Sequence, residues 1–382
     1  MKKLVLASVL LLLLAAAIVL VLQRSTGYDW ELPENLPPPA VPADNPMSAA
    51  KIELGRWLFH DNRLSVNETM SCASCHIQSL AFTDGKARSV GATGELHPRS
   101  SMSLVNTAYA SRLTWANQLL DRIEDQMLTP IFGDKPIEMG MAGKEERIVD
   151  LLRNDPRYAE LVARAFPEES DPYSIVSTVR AIAAFVRSIV SYESPYDRYL
   201  RGETGAINAA AVRGMELFFS ERLECFHCHG GFNFTDSTTH ANSRIDRVGF
   251  HNTGLYNLDG EGRYPDDNTG LFDMTGNRRD MGRFKAPTLR NIAVTAPYMH
   301  DGSAATLDDV ISHYANGGRV IEKGEFAGDG KRNPYKSEFM RGFALSESER
   351  ADLIAFLESL TDDRVLHDPR WSNPFIAESS GK

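Results

Sequence analysis

All four cysteines of this chain fall in two copies of one pattern, Cys72-Ala-Ser-Cys75-His76 and Cys225-Phe-His-Cys228-His229. Cys-x-x-Cys-His is the attachment signature of c-type haem. Two thiols at that spacing reach both vinyl groups of one porphyrin, and the His that follows is placed to ligate the iron. Every cysteine is thereby consumed, so the disulfides otherwise expected of an exported chain have no partners. Two other readings compete: one zinc site built from both Cys pairs, or a thioredoxin-like dithiol. Zinc does not require a His directly after each second Cys, and a redox dithiol is not expected twice. Within the second motif, His227 reads as a spacer because His229 holds the ligating position.

The surroundings of the motifs repeat as well. Gly55, Leu58, Phe59, Arg63 and Leu64 precede the first motif; Gly214, Leu217, Phe218, Arg222 and Leu223 precede the second, at one offset of 159 residues. Alone, either copy is a generic amphipathic helix; as a pair before two haem motifs they point to duplicated cytochrome c domains. Periodicity predicts helices over 145–152, 158–165, 174–190, 206–220, 307–314 and 346–360, the last opened by a capping box of Ser346 and Glu349. No run of alternating strands appears, and the Gly-, Asn- and Asp-rich stretch 232–284 reads as a long loop. The expected fold is all-α, with two cytochrome c-type domains that each bind one haem covalently.

Met1-Lys2-Lys3 leads into an apolar run from Leu4 to Leu22 that closes on Gln23-Arg24. Such a segment is an export signal, either cleaved or retained as an inner-membrane anchor, since its length matches the ~20 residues that cross a bilayer. The flanking lysines place the body in the periplasm. Removing Lys2, Lys3 and Arg24 from the overall charge of −10 leaves about −13 on that body, so it has no electrostatic footprint for nucleic acid. The expected organisation is signal or anchor at 1–25, a Pro-rich extended spacer at 26–47, an N-terminal cytochrome domain at 48–205 and a C-terminal one at 206–382.

With those residues in place, the chain resembles the bacterial di-haem cytochrome c peroxidase and MauG superfamily. The matching stretches are Ala50–Ser65, both motifs, Arg99–Tyr109, Trp115–Met139 and Phe284–Gly318. The phrases at 97–106, 113–117 and 297–302 look most like the MbnH-type branch. The resemblance implies roles residue by residue. Trp115 matches the Trp between the two haems. Gln126, Pro130 and Glu138 match the residues facing peroxide at the first haem, with Glu138 moving a proton between the peroxide oxygens and Gln126 orienting the oxidant. Thr295 and Pro297 match positions whose carbonyls bind calcium between the domains, and Ser100 stands where the family usually has Asn.

The second face of each haem decides the chemistry. Where reductively activated peroxidases carry a His loop over the first haem, the Gly91–Gly94 loop has none, and His97 is displaced; the first haem is expected to be open to peroxide. Fourteen residues after His300, the position of the peroxidases' Met is Tyr314, as in MauG, with His313 the competing ligand. A phenolate stabilises ferric and higher iron states, whereas a thioether favours ferrous iron. The resemblance therefore implies hydrogen peroxide as oxidant, a high-valent di-haem state, and a periplasmic partner protein as substrate. For the MbnH-type branch that partner is an MbnP-like copper-binding protein whose tryptophan becomes kynurenine. Two alternatives stay open: a peroxidase fed by a small cytochrome or cupredoxin, and a di-haem electron carrier without catalysis.

Overall fold

The computed structural model describes residues 28–379, so the apolar run at 4–22, expected as signal or anchor, lies outside them. Among the described residues no helix is long and apolar enough to cross a membrane. The architecture is mostly helical. Its longer helices are α1 (Ala49–Phe59), α2 (Glu145–Asn154), α3 (Pro156–Ala165), α4 (Ile175–Arg187), α5 (Ala209–Phe218), α6 (Leu307–Ala315) and α7 (Glu347–Glu358). Ser48, Ser174, Asn208, Thr306 and Ser346 cap α1, α4, α5, α6 and α7, each side-chain oxygen accepting a bond from a backbone N–H of the first turn. These caps satisfy donors that a helix leaves orphaned, which is why the helices start within a few residues of the predicted positions. Strand is confined, among the described residues, to two antiparallel pairs of two residues each: Phe250–His251 with Phe284–Lys285, and Val320–Ile321 with Gly328–Asp329.

The repeated Gly-x-x-Leu-Phe is the crossing point of a helix pair in each half. A methyl group at Gly55 on α1 would lie 2.0 Å from the Ala181 carbonyl oxygen and 2.8 Å from Cβ of Phe185, both on α4. One at Gly214 on α5 would lie 1.9 Å from the Asp352 carbonyl oxygen and 2.9 Å from Cβ of Phe356, on α7. The phenylalanine four residues on then meets its partner ring: Phe59 and Phe185 have centroids 5.0 Å apart, Phe218 and Phe356 5.2 Å. Around the first crossing, Leu54, Leu58, Tyr158, Ile182 and Phe185 form one core. Phe218, Phe234, Leu353 and Phe356 form the other.

Two segments run differently from the sequence expectation. The Pro-rich stretch expected as an extended spacer is docked along the body. Trp30, Leu32 and Leu36 pack on Tyr109 and Tyr192. The Tyr109 hydroxyl donates to the Pro37 carbonyl (2.8 Å), the Tyr192 hydroxyl to that of Glu31 (2.9 Å) and the Ala241 N–H to that of Pro38 (2.9 Å). Prolines cannot donate, but their carbonyls accept, and two buried tyrosines here need acceptors for their hydroxyls. The second segment is the stretch after α7, within the range expected for the C-terminal domain. Val365, Leu366 and Trp371 are buried in the first core, Phe375 stands edge-on to Trp57 at 4.7 Å, and Gln78 donates to the Val365 and Asp368 carbonyls.

Replacing Gly214 or Gly55 by alanine pushes a methyl group onto a helix backbone that cannot rotate away. Each change is expected to destabilise the haem-loaded protein by about 1–3 kcal/mol, read as a fall in the thermal midpoint. An unchanged midpoint in both variants would contradict the close crossing.

Candidate active site

Each Cys-x-x-Cys-His motif folds as one short helical turn, Cys72–Cys75 and Cys225–Cys228, followed by its histidine. Burial pushes the thiols of Cys72 and Cys225 up to about 12 and that of Cys75 up to about 11. The four sulfurs do not converge on a common zinc centre. Among the described residues the one group of His, Cys, Asp and Glu atoms within metal-binding reach is Cys228, Asp236 and His251. Its His251 is bonded to Asp236 at 2.6 Å, and although burial opposes the charge, Asp236 and the Cys228 sulfur raise it to about 10.

The motif histidines are set for iron in the same way. His76 Nδ1 donates to the Phe82 carbonyl at 2.8 Å and His229 Nδ1 to the Phe234 carbonyl at 3.1 Å. In both places the accepting residue is itself in the left-handed region, with φ of 59° at Phe82 and 50° at Phe234, which turns its carbonyl back to the ring. A carbonyl only accepts, so the proton sits on Nδ1 and Nε2 keeps its lone pair. Burial lowers both imidazoles below the usual histidine range and keeps them neutral, the ligating form.

Beyond the second motif lies a cavity of about 250 Å³. Cys225, Cys228 and His229 line one side, and Leu307, Ile311 and Tyr314 of α6 line another. The Tyr314 phenol makes no hydrogen bond to any described residue; burial, then the charges of Cys228 and Cys225, push it above the usual tyrosine range. His313 is off the cavity wall, where burial holds it near 4, close to Arg319 and Lys336. Of the two candidate ligands, Tyr314 is thus the one brought to the His229 cavity. This largely apolar slot, lined by an imidazole and by a phenol without a hydrogen-bond partner among the described residues, fits a haem held through Cys225 and Cys228.

At the first motif, Glu138 is near enough to Cys72 and Cys75 for its charge to raise both thiols. Desolvation pushes its carboxyl up to about 7. The segment carrying it is pinned by Met139 N–H to the Pro130 carbonyl (2.9 Å) and by Met141 N–H to that of Ile131 (3.0 Å). Gln126 ends the short helix Ile123–Gln126, one turn before Pro130. Beneath that helix, Glu124 and Arg187 form a two-pronged ion pair at 2.8 and 3.0 Å, both side chains under a tenth exposed, with Asn45 donating to Glu124 at 2.7 Å. The structure therefore brings the Glu138 segment and Pro130 together; Gln126 is one turn before Pro130, and its side chain makes no hydrogen bond to a described residue.

Trp115 lies between the motifs. Its Nε1 donates to the Ser100 carbonyl at 2.9 Å, and the neighbouring Ser101 hydroxyl donates to the Cys75 carbonyl at 2.7 Å and sits 3.5 Å from His76 Nδ1. On its other side, Trp115 meets His300 edge-on at 6.5 Å, and His300 stacks on Phe284 at 3.6 Å. Trp115, His300 and Phe284 all line the second cavity, as do Ser100, Thr295 and Pro297. The Ser100 hydroxyl donates to the Met299 carbonyl, and none of these last three supplies a carboxylate to a calcium ion.

Sequence reasoning missed three cavity residues. His300, with burial pushing it to about 3 and Nε2 unpartnered, served there only as a marker for counting to Tyr314. Lys285, pushed by burial down to about 8, lies in the 284–318 stretch of family resemblance without a role of its own there, and His251 lies in the stretch read as loop. No spacing signal distinguishes them.

The N-terminal half, residues 49–205, matches the family model described as di-haem cytochrome c peroxidase. The chain is 34% identical over 354 residues to the cytochrome-c peroxidase IdrP1 of Denitromonas iodatirespirans, covering 88% of each chain. It is 35% identical over 328 residues to the methylamine utilization protein MauG of Methylorubrum extorquens, covering 86% of this chain and 82% of that one. Among solved structures, a MauG-like protein associated with microbial copper homeostasis superposes with a TM-score of 0.90 at 50% identity, over 91% of this chain and all of that one. The di-haem peroxidase BthA of Burkholderia thailandensis shares the fold, with a TM-score of 0.64 at 21% identity over 91% and 92% of the two chains.

Replacing Arg187 by leucine strands the Glu124 carboxylate in the core beneath Gln126. The expected loss is about 3–5 kcal/mol of stability, largely recovered when Glu124 is changed to glutamine in the same chain. Denaturant titration of both variants checks it; equal losses would mean that the pair is not what holds this helix.

Proposed function

Since this chain belongs to the di-haem cytochrome c peroxidase and MauG family and is a di-haem peroxidase-like oxidoreductase, we propose that it uses hydrogen peroxide to oxidise a partner protein. The observation that carries this reading is Tyr314, a phenol facing the His229 cavity where a thioether would favour the ferrous state of an ordinary peroxidase. The partner we favour is a periplasmic copper-binding protein of the MbnP-like kind, with one of its tryptophans converted to kynurenine. Support comes from the likeness to a MauG-like protein associated with copper homeostasis.

In this reading 48–205 is the peroxide-facing unit and 206–382 the electron-transfer unit, in the periplasm behind the apolar segment at 4–22. Haems held by Cys72, Cys75 and His76 and by Cys225, Cys228 and His229 supply the electrons that cleave the peroxide O–O bond. Glu138 takes a proton from one peroxide oxygen and returns it to the other, so that water leaves. A carboxyl near 7 has both forms at hand at neutral pH, which suits that exchange. Gln126 orients the oxidant, and Pro130 keeps that side narrow. Trp115, its N–H tied to the Ser100 carbonyl, is the aromatic step between the two halves, with His300 and Phe284 continuing toward the second cavity. Tyr314 is the residue that would hold the second iron, as phenolate, since a bound cation would reverse the upward push that burial gives the phenol. Calcium, if held by Thr295 and Pro297 with Ser100 nearby, draws most of its ligands from water.

The deciding experiment is the ferric spectrum before and after one equivalent of peroxide, with the copper-binding partner analysed by mass spectrometry for an oxidised tryptophan. A wholly low-spin protein that ignores peroxide would sink the enzymatic reading; sustained turnover with reduced cytochrome c and no change in the partner would favour the ordinary peroxidase. Tyr314→Phe is expected to keep both haems attached and to abolish the change that peroxide produces, while His313→Phe leaves it intact. Because the base form of Glu138 is the reactive one, the rate with peroxide is expected to rise as pH increases through about 7. In Glu138→Gln that rise disappears and the rate falls about a hundredfold or more.

A further inference from the structure

A small hairpin beside the first motif holds one side chain against Glu138. Its arms bridge at Val90 and Leu96, Gly91 N–H donates to the Glu95 carbonyl (2.9 Å) and His97 N–H to that of Ser89 (2.9 Å). The hairpin is fastened to the carboxylate segment at several points. Ala92 N–H donates to the Glu138 carbonyl (2.7 Å), Ile137 N–H to the Glu95 carboxylate (2.9 Å), and Asn67 Nδ2 to the Ala92 carbonyl (2.7 Å). Contact is so close that a methyl group at Gly91 would lie 1.9 Å from the Ile137 carbonyl oxygen. The outcome is that His97 Nδ1 stands 3.9 Å from Glu138 Oε1. His97 is 16% exposed and Glu138 34%, and neither side chain hydrogen-bonds to another described residue. Burial favours the neutral imidazole; among the charges that face it, Asp84 and Glu95 oppose that effect and Arg88, which also holds the His97 carbonyl, adds to it.

We propose that His97 is the proton partner of Glu138, a positioning residue that relays protons between that carboxylate and solvent. This rests on the peroxide reading above. Cleavage of the O–O bond is proton-neutral as Glu138 performs it, since the proton leaves one oxygen and reaches the other while the haem pair gives two electrons. Releasing the second oxygen atom as water takes two more protons, along with two electrons taken from the partner protein that is oxidised. Those protons come from solvent, and His97, partly exposed and next to Glu138, is placed to pass them on. A ring without another partner is free to bind and release a proton without breaking a structural bond.

The test uses the haem-loaded protein and the variants His97→Gln and His97→Phe. In the infrared spectrum, the carboxylic C=O band lost in Glu138→Gln is expected to titrate at a shifted pH in both His97 variants, a readout that needs no peroxide. With peroxide, single-turnover rates are expected to fall about tenfold or more at neutral pH, with one ionisation missing from the pH profile. An unmoved infrared midpoint overturns the proposal, as does an unchanged pH profile in a protein that reacts with peroxide. Conversion of a low-spin ferric signal to high-spin in the variants also overturns it, because His97 would then be an iron ligand. If the unaltered protein ignores peroxide, the functional reading fails separately, and the infrared comparison still decides the pairing.

Discussion

Each motif histidine is held by one hydrogen bond from Nδ1 to a backbone carbonyl, and the two centres take their geometry from it. The bond fixes the tautomer, aims Nε2, and does so with a main-chain group that no side-chain substitution can remove. The left-handed residues at 82 and 234 exist in that conformation because the carbonyl must turn back on the ring. Nearby, the glycine crossings at 55 and 214 bring the phenylalanines beside the same histidines: Phe59 lies 6.5 Å from His76, and Phe218 lines the cavity of His229. The two halves are therefore alike around their motif histidines.

Away from those histidines they diverge, which suits the two roles proposed for them. The first half presents acid–base groups, with Glu138 and His97 mounted on segments that clasp each other. The second half presents a lone phenol from α6 inside an apolar slot. Between them stand aromatic rings kept free of charge: Trp115 bonded to a carbonyl, His300 held neutral by burial, and Phe284. Under the proposed reading, a charged ring at that place would oppose the passage of a positive hole, so burial that keeps the imidazole neutral suits that transfer as well as the packing.

How much of this was legible in the residues depends on the range of the contacts. The motifs, the repeat and the helix starts were readable because their causes are local: thiol spacing, a capping serine, apolar periodicity. The glycine of the repeat was visible as a pattern, but its role required the facing carbonyls of Ala181 and Asp352, which no spacing encodes. The Pro-rich stretch misled because its composition describes an isolated chain, whereas Tyr109 and Tyr192 supply donors from far downstream. Family likeness pointed to Glu138; the same likeness set His97 aside, since the hairpin that carries it to Glu138 is clasped by long-range backbone bonds. His300 and Lys285 carry no signature, because burial is a property of the neighbours.

The docking of residues 363–375 into the first core bears on the order in which the chain is made. Gln78 grips carbonyls 287 and 290 residues further along, and Trp371 fills space between helices completed much earlier. A chain that emerges from its amino end first therefore presents Cys72 and Cys75 in a half whose wall is still missing. Until the late segment arrives, the first core lacks Val365, Leu366 and Trp371, so the half that carries Cys72 and Cys75 is completed only by residues near the far end of the described chain.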